Sequence, residues 1–368
     1  MITLMRGPVL NRYFCQLATG ELPPLKRPDG KVFSSGRGAL FWLLNSLSVQ
    51  PGDSVLLPAF IAEGVVSPIK AAGATCCFYK LDASMMPDLA DLAVQVQRSH
   101  NPRLAVVYHP FGYAAPVADV RHICAPWGVP VLEDCAHAFF SATEQHSPLG
   151  LIGDYALFSY NKFFPVSDGA ELTIMGGAQS DSCLLPPSEI SLRHYQVHLN
   201  YLKKFAAITP SQEAGSLLKQ AGAAYDKYYA MLNSDVRARE MSLRSRQLLG
   251  RFCISEMQQL RRKNVEEVYD KFSSQHLSLH YRKLPDGIAP FAVPMRCDPT
   301  LRQGIVDAAF QKGLHLANLS AKWDFIPEFA VERFGYELEF LRSNLLLPIS
   351  EHLTNDDIKL MLDIVKTL

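Results

Sequence analysis

An acidic pair and a lysine, each close behind a short apolar segment, are the side chains in this sequence that most clearly suggest chemistry. Residues 129–132 (Val-Pro-Val-Leu) predict a buried strand that ends at Glu133 and Asp134. Residues 155–159 predict a second buried strand, and Lys162 follows three residues later among aromatic residues. Because open α/β sheets bind ligands at the carboxyl ends of their strands, we expect these side chains at one edge of a sheet.

Asp134 and Lys162 together suit pyridoxal phosphate (PLP). Burial lowers the pKa of a lysine, and a neutral amine forms a Schiff base with an aldehyde. In that arrangement Lys162 holds the aldehyde carbon, and Asp134 keeps the pyridine nitrogen protonated so that the ring accepts electrons. Taken singly, each residue also has an ordinary explanation, as a loop carboxylate or as a solvated lysine. The hypothesis therefore depends on the rest of the sequence.

A serine and two glycines precede a helical pattern near residue 36. Ser35, Gly36, Arg37 and Gly38 stand where a helix is expected to begin. Backbone N–H groups at such a helix start can hold a phosphate. The alternative is that Ser35 is only a helix cap.

Strand-like and helix-like segments alternate through the first half of the chain. Predicted strands cover residues 54–57, 75–79, 104–108, 129–132, 155–159 and 171–175, and predicted helices cover residues 63–72, 89–96 and 117–125. This alternation is typical of βαβ units, so we predict an α/β fold with a mostly parallel central sheet flanked by helices.

The length of 368 residues predicts more than one domain. The proline-containing residues 1–30 are expected to form an N-terminal arm, and residues 31–250 a large PLP-binding domain. Within that domain, residues 187–250 are expected to be mainly helical. Residues 251–368 are expected to form a smaller C-terminal α+β domain. Whether residues 187–240 act as a lid, a dimer element or a partner surface is left open.

The composition excludes several classes of protein. With 36 basic and 36 acidic residues the formal charge is zero, which gives no reason to expect binding to nucleic acid or to an anionic membrane. No apolar run is long enough to cross a bilayer, and the first residues do not resemble a signal peptide. The eight cysteines lack C-x-x-C spacing, which predicts reduced thiols in a cytoplasmic protein without a metal site.

Six short motifs, in order from residue 33 to the C-terminus, resemble those of the DegT/DnrJ/StrS-type family. This family of fold-type-I PLP enzymes includes the sugar aminotransferases of deoxysugar and polysaccharide biosynthesis. The motifs are Ser-Ser-Gly-Arg-Gly-Ala-Leu (34–40), Pro-Gly-Asp-Ser-Val-Leu-Leu-Pro (51–58), His-Pro-Phe-Gly (109–112), Glu-Asp-Cys-Ala-His (133–137), the lysine segment (153–170) and Leu-Pro-Ile-Ser-Glu-His-Leu-Thr (347–354).

The resemblance implies a fold-type-I architecture and a role for each motif. Lys162 is implied to form the Schiff base and then to move a proton, while Asp134 pairs with the pyridinium nitrogen. His137 is implied to lie near the ring face or the ring oxygen O3′, although an ordinary half-buried histidine is the alternative. Ser159 and the backbone of residues 36–38 are implied to hold the phosphate, whereas His109 is expected to be structural. The family also implies a homodimer with shared active sites.

The sequence departs from the family pattern on the side of the substrate. The position that usually supplies a ring to stack on the cofactor falls at Ala62, with Phe60 nearby. The family's Asn-Tyr-Arg-Met segment is replaced by residues 241–246, where Arg244 or Arg246 are the candidates to take its place. These departures concern the substrate and not the cofactor, so the resemblance does not identify the acceptor or imply a nucleotide sugar.

The reaction predicted from all these features is transamination. An amino acid, with glutamate as the expected donor, gives its amino group to a keto group, expected to belong to a sugar. One alternative is a PLP-dependent dehydratase or lyase, but the related sugar dehydratases carry histidine where this chain has Lys162. The other alternative is a catalytically silent PLP-fold protein with a binding or regulatory role.

Overall fold

The computed structural model describes residues 30–176, 183–208, 212–317 and 333–368, and a seven-stranded sheet is its central element. The strands are β1 (Gly30–Phe33), β2 (Ser54–Pro58), β3 (Thr75–Tyr79), β4 (Pro102–Tyr108), β5 (Val131–Asp134), β6 (Tyr155–Ser159) and β7 (Ala170–Ile174). They lie in the order β1-β7-β6-β5-β4-β2-β3. Strands β2 to β6 are parallel to one another, whereas β7 is antiparallel to both β6 and β1. The predicted mostly parallel sheet is confirmed.

Helices cover both faces of this sheet. They are α1 (Gly36–Ser46), α2 (Glu63–Ala71), α3 (Leu89–Arg98) and α4 (Val117–Cys124). Side chains of β4 alternate between the two faces, as the geometry of a strand requires. Leu104 and Val106 pack in one core with residues of α1 and α2, while Ala105 and Val107 pack in another with residues of α3 and α4. Burial on both faces explains why the strands are continuously apolar.

A long helical hairpin follows the sheet. It consists of α5 (Glu189–Ala206) and α6 (Gln212–Ser234), and α7 (Leu243–Leu249) and α8 (Ile254–Lys271) come after it. Tyr195 and Phe205, two of the apolar residues at helical spacing on α5, are buried. Helix α6 contacts α2, so the hairpin lies against the sheet domain. The prediction that residues 187–250 are mainly helical is confirmed for the part of them that the structure describes.

The C-terminal residues form a smaller α+β unit. Its elements are β8 (Ser278–Leu279), β9 (Ala292–Arg296), α9 (Arg302–Gln311), α10 (Gly335–Ser343), β10 (Asn344–Pro348) and α11 (Asn355–Lys366). Strand β9 lies between β8 and β10 and is antiparallel to both. Thr354 and Asp357 form a capping box at the start of α11. The domain boundaries at residues 30 and 250 stay predictions.

Several elements differ from the sequence prediction. The predicted arm covers residues 1–30, of which 1–29 lie outside the described residues, while Gly30 already belongs to β1. Strand β5 begins and ends two residues later than predicted, so Glu133 and Asp134 are its last residues. Strand β1 was not predicted, because it has only four residues and forms by pairing with β7. Strand β8 and helix α10 were not predicted either.

The cysteines can be compared with the prediction of reduced thiols, and the helices with the expectation that no segment crosses a membrane. Six cysteines (76, 77, 124, 135, 183 and 297) are free, but Cys253 is disulfide-bonded, so the prediction that all cysteines are reduced thiols is wrong for this residue. Within the described ranges, no helix combines the length and the apolar character needed to span a bilayer.

Candidate active site

The carboxyl ends of three neighbouring strands bring the candidate residues to one edge of the sheet. Tyr108 at the end of β4 is level with Asp134 at the end of β5. Ser159 ends β6, the next strand, and Lys162 follows it in a single 3-10 turn, Tyr160–Lys162. On the other side of β6, Ala170 of β7 is level with both Ser159 and Phe33 of β1, so helix α1 starts at the same edge.

Lys162 and Asp134 influence each other's charge at this edge. Burial lowers the pKa of Lys162 to about 8. The positive charge of Arg37 also lowers this pKa, whereas the negative charge of Asp134 raises it. Burial raises the pKa of Asp134, and the charge of Lys162 opposes that change. Asp134 Oδ1 accepts a hydrogen bond from Ala136 N at 3.0 Å. The site therefore holds a lysine that loses its proton far more readily than a solvated one.

Glu133, the neighbour of Asp134, belongs to a separate network. Its oxygens accept hydrogen bonds from the backbone N–H groups of Gly150, Ile152 and Gly153 at 3.1, 2.7 and 2.5 Å. His109 Nε2 donates to Glu133 Oε2 at 3.0 Å, while His109 Nδ1 accepts from Ala115 N at 3.0 Å. Because protein groups occupy both ring nitrogens, the geometry agrees with the structural role expected for His109.

The network around Glu133 also contains the one group of potential metal ligands found among the described residues. The ligand atoms of His109, Glu133 and Cys135 lie within 4.8 Å of one another, and all three residues are buried. The hydrogen bonds of His109 and Glu133 already occupy their ligand atoms. We therefore make no metal proposal for this group.

His137 is buried among aromatic rings. Its ring is stacked on Phe291 with the centroids 4.6 Å apart and the planes 7° apart, and its Nδ1 is hydrogen-bonded to the Tyr108 hydroxyl. Burial and the charge of Lys162 hold the pKa of His137 well below its usual value. His137 is therefore a neutral imidazole near Lys162. Because Phe291 covers one face of the imidazole, a ligand can reach the edge of the His137 ring more easily than that face.

Ser35 and Gly38 have local structural roles. Ser35 is the N-cap of α1, and its hydroxyl accepts a hydrogen bond from Gly38 N at 3.1 Å. A Cβ atom on Gly38 would lie 3.1 Å from the carbonyl oxygen of Arg237 and 3.3 Å from Cα of Ala238. The cap interpretation thus holds for Ser35, and Gly38 lets the segment after α6 pass close to α1. The N–H groups of Gly36 and Arg37 lie in the first turn, where a helix has no internal acceptors for them.

The guanidinium of Arg37 lies among residues of α2 and α6. Its Nε donates a hydrogen bond to Asn233 Oδ1 at 2.6 Å, and its Cζ is 4.1 Å from the ring centroid of Tyr229. Its Nη2 is buried and has no hydrogen-bond partner among the described residues. A buried guanidinium donor without a partner costs free energy unless an acceptor meets it. With the start of α1 and Lys162 nearby, this corner of the site suits an anion.

Ser159 and the lysine turn are held in place by their neighbours. The Ser159 hydroxyl donates to Asn161 Oδ1 at 2.9 Å, which leaves its oxygen able to accept. The Tyr195 hydroxyl of α5 donates to the carbonyl oxygen of Asn161 at 3.1 Å. The helical hairpin therefore contacts the backbone next to Lys162.

The position of Phe60 shows whether this residue can supply a ring that stacks on a cofactor. Phe60 is completely buried and packs edge-on against Phe340, with ring centroids 5.3 Å apart. It belongs to the core beneath the site and is not available to stack on a ligand. Ala62, the N-cap residue of α2, has no ring to offer. Neither residue can therefore supply the aromatic ring that the family usually places here.

The two arginines that could replace the family's Asn-Tyr-Arg-Met segment lie on α7. Arg244 and Arg246 are exposed residues of α7. Arg244 lines a cavity of about 380 Å³ together with Lys203 and Arg251. No contact between these arginines and Lys162 or Arg37 is found in the described part of the chain. Sequence reasoning instead missed Tyr229 and Asn233, for which the tyrosine-rich stretch 225–229 was the only signal.

Comparison with known proteins relates the sheet domain to one family of aminotransferases. Residues 28–181 match the model of the DegT/DnrJ/EryC1/StrS aminotransferase family. GDP-perosamine synthase of Vibrio cholerae is 26% identical over 182 residues, which is 49% of this chain and 48% of that protein. The match therefore spans about half the length of that relative.

Two further proteins are similar over most of the chain. The dTDP-4-dehydro-2,3,6-trideoxy-D-glucose 4-aminotransferase of Saccharopolyspora spinosa is 21% identical over 346 residues, covering 91% of this chain and 83% of that enzyme. The crystal structure of the aminotransferase TlmJ from Streptoalloteichus hindustanus superposes with a TM-score of 0.67 at 19% identity, over 92% of this chain and 85% of that one. The structural likeness shows that the chain shares the fold of this aminotransferase.

Proposed function

We propose that this chain, whose residues 28–181 match the model of the DegT/DnrJ/EryC1/StrS aminotransferase family, is a PLP-dependent aminotransferase that aminates a keto sugar. The observation that supports this best is the environment of Lys162. Burial lowers its pKa to about 8, and it lies at the same sheet edge as the buried Asp134. A lysine with this pKa has a substantial neutral fraction near physiological pH, and the neutral amine can attach an aldehyde.

The residues at the sheet edge fit PLP. When bound, this cofactor supplies an aldehyde for covalent attachment and a ring that accepts electrons. The start of α1 and the Arg37 guanidinium, with its buried unpartnered Nη2, would hold the phosphate. Ser159 would add a hydroxyl to the same group. Lys162 would attach the aldehyde, and Asp134 would face the pyridine nitrogen.

Each of these side chains has a task that its environment favours. The neutral Lys162 amine can accept a proton from the substrate carbon and return it, as a general base and acid whose pKa is close to neutral pH. Asp134 can stabilise a proton on the ring nitrogen, because a buried carboxylate gains from a cationic partner. His137, neutral and linked to Tyr108, can offer its edge to the ring oxygen.

The substrates and the assembly extend this proposal. We expect an amino acid donor, with glutamate as the first to be tested, and a keto sugar as acceptor. The curated relatives that aminate sugars support this acceptor class. We also propose a cytoplasmic homodimer with shared active sites, which rests on the family resemblance and can be tested by light scattering.

One observation favours a different function. Neither Phe60 nor Ala62 can stack on a cofactor ring, which fits a protein that binds PLP or a sugar without turnover. The presence of both Lys162 and Asp134 at one edge argues for an enzyme, and Lys162 argues against the histidine-dependent dehydratases. The silent binding protein is therefore the second candidate.

Absorbance spectra of the purified protein with PLP test the proposal. Wild type is expected to attach PLP covalently and to give a visible band that L-glutamate discharges. Lys162→Ala should not form this band, whereas Lys203→Ala, which removes an exposed lysine of α5, should behave like wild type. A band that no amino acid discharges would favour the silent binding protein. Failure of wild type to attach PLP would overturn the cofactor assignment.

A further inference from the structure

The guanidinium of Arg37 is fixed by residues that come from two other helices. Asn233 Oδ1 accepts from Arg37 Nε at 2.6 Å and from the Ser67 hydroxyl at 3.3 Å, so it joins the start of α1 to α2 and the end of α6. The Tyr229 ring lies 4.1 Å from Arg37 Cζ, and its hydroxyl accepts from Gly64 N at 3.1 Å. Each of the two α6 residues therefore contacts Arg37 and is itself held by α2.

The backbone of α2 also shapes the space that Arg37 occupies. A Cβ atom on Gly64 would lie 2.9 Å from Arg37 Cζ, which is closer than real Cβ atoms come, and 3.0 Å from its Nη2. Only glycine lets the guanidinium lie so near this part of α2. The planar group is thus confined by Gly64 and the Tyr229 ring, while the bond from Nε to Asn233 sets its orientation.

This confinement leaves one side of the guanidinium without an acceptor. Nε is used by Asn233, but Nη2 is buried and has no partner among the described residues. A flexible arginine loses side-chain entropy when it is held, so prior fixation reduces that loss when a ligand binds. The arrangement suits an anion such as the cofactor phosphate, which arginine binds through charge-assisted hydrogen bonds.

We infer that Asn233 and Tyr229 of α6, together with Gly64 of α2, position Arg37 to bind the phosphate of PLP. Helix α6 is then part of the cofactor site, although it lies about 200 residues from Arg37 in sequence. This inference rests on the proposed function, because it requires PLP as the ligand. The three residues are positioning residues, since they act on the cofactor through Arg37.

The test compares PLP with pyridoxal, which lacks the phosphate, on the full-length apoprotein. Gly64→Ala, Asn233→Ala and Tyr229→Leu should each weaken PLP binding about tenfold or more, as expected for a displaced charge-assisted hydrogen bond. Their affinity for pyridoxal should stay within about twofold of wild type, because the phosphate contact is absent there. Titrations followed by absorbance of the attached aldehyde give both dissociation constants.

Gly64→Ala is the decisive variant because it should not impair folding. Alanine is a better helix former than glycine, and the neighbour that must move is the end of a flexible side chain. Gly215→Ala on α6 is its matched control, since a Cβ atom there meets nothing within 4 Å. Gln220→Ala, which changes an exposed residue of α6, controls for side-chain loss on that helix. Both controls should bind PLP like wild type.

A double-variant experiment separates positioning from a purely structural role. In an Arg37→Ala background, Asn233→Ala should weaken PLP binding no further, because the group that it positions is gone. Additive losses, equal losses for PLP and pyridoxal, or unchanged PLP binding in Gly64→Ala would overturn the inference while leaving the proposed function intact. Failure of wild type to attach either aldehyde would instead refute the proposed function.

Discussion

Glu133 and Asp134 follow each other at the end of β5 and have entirely different partners. Glu133 accepts hydrogen bonds from three backbone N–H groups and from His109, whereas Asp134 accepts one from Ala136 and faces the charge of Lys162. Successive strand residues point to opposite faces of a sheet, which separates the two carboxylates. One stabilises the loop 150–153, and the other is left for the ligand.

This difference predicts opposite effects for two matched substitutions. Glu133→Gln should lower the free energy of unfolding of the apoprotein by about 3 kcal/mol, because a buried acceptor of several hydrogen bonds loses its charge. Asp134→Asn should change it by less than about 1 kcal/mol, since burial disfavours that charge. Denaturant unfolding of both variants measures the two values.

In the reaction with L-glutamate, the substitution of Asp134 should have the larger effect and that of Glu133 the smaller one. Asp134→Asn should slow the discharge of the PLP band at least about a hundredfold, as for the loss of an electrostatic partner at a reacting group. Folded Glu133→Gln should stay within about tenfold of wild type, because it contacts no reacting atom. Equal losses in both variants would contradict the separation of roles.

The pKa of Lys162 predicts the pH dependence of cofactor attachment. The rate at which the apoprotein attaches pyridoxal should rise with pH to a midpoint near 8, where the amine loses its proton. Asp134→Asn should move this midpoint to lower pH, because it removes a charge that holds the proton on Lys162. Arg37→Ala should move it to higher pH, because it removes a charge that expels the proton. A midpoint near 10.5 in wild type would show that Lys162 is solvated.

The sheet and its edge were predictable from the sequence because each strand is locally encoded. The segments 75–79 and 155–159 coincide with β3 and β6. The apolar run of β6 is buried inside the sheet, whereas β3 is the half-buried strand at its edge. The register of β5 could not be fixed in this way, because Glu133 is charged and becomes acceptable in a strand only through its tertiary hydrogen bonds.

The contribution of the helical hairpin could not be predicted. The periodicity of α5 and α6 predicts helices, but it does not say which surface they cover. The contacts of Tyr229 with Gly64 and of Asn233 with Arg37 join residues more than 160 positions apart. Such pairs depend on the docking of one helix against another, which a single sequence does not reveal.

His137 should not titrate in the physiological range. Burial and the charge of Lys162 hold its pKa well below 6.5, so the imidazole stays neutral at pH 6.5 and above. The rate of the half-reaction with L-glutamate should therefore show no ionisation near pH 6.5, and His137→Gln should lower the rate without changing the shape of the pH profile. A step near pH 6.5 that disappears in His137→Gln would show that the histidine becomes charged during turnover.

A buried ion pair between Arg261 of α8 and Glu351 should make the free energy of unfolding depend on pH in the acidic range. Burial alone would raise the pKa of Glu351, but the charge of Arg261, 2.7 Å away, together with hydrogen bonding lowers it to about 2. A carboxylate with a lowered pKa stabilises the folded state above its unfolded pKa of 4.5, and this stability is lost as the pH falls from 4.5 towards 2.

Glu351→Gln should accordingly lose about 3 kcal/mol at pH 7, and its difference from wild type should shrink steadily below pH 4.5. Glu256→Gln, which changes an exposed residue of the same helix as Arg261, should match wild type at every pH. Denaturant unfolding at pH 7, 5, 4 and 3 measures these differences. A constant difference across this range would mean that the substitution acts through packing and not through the charge of Glu351.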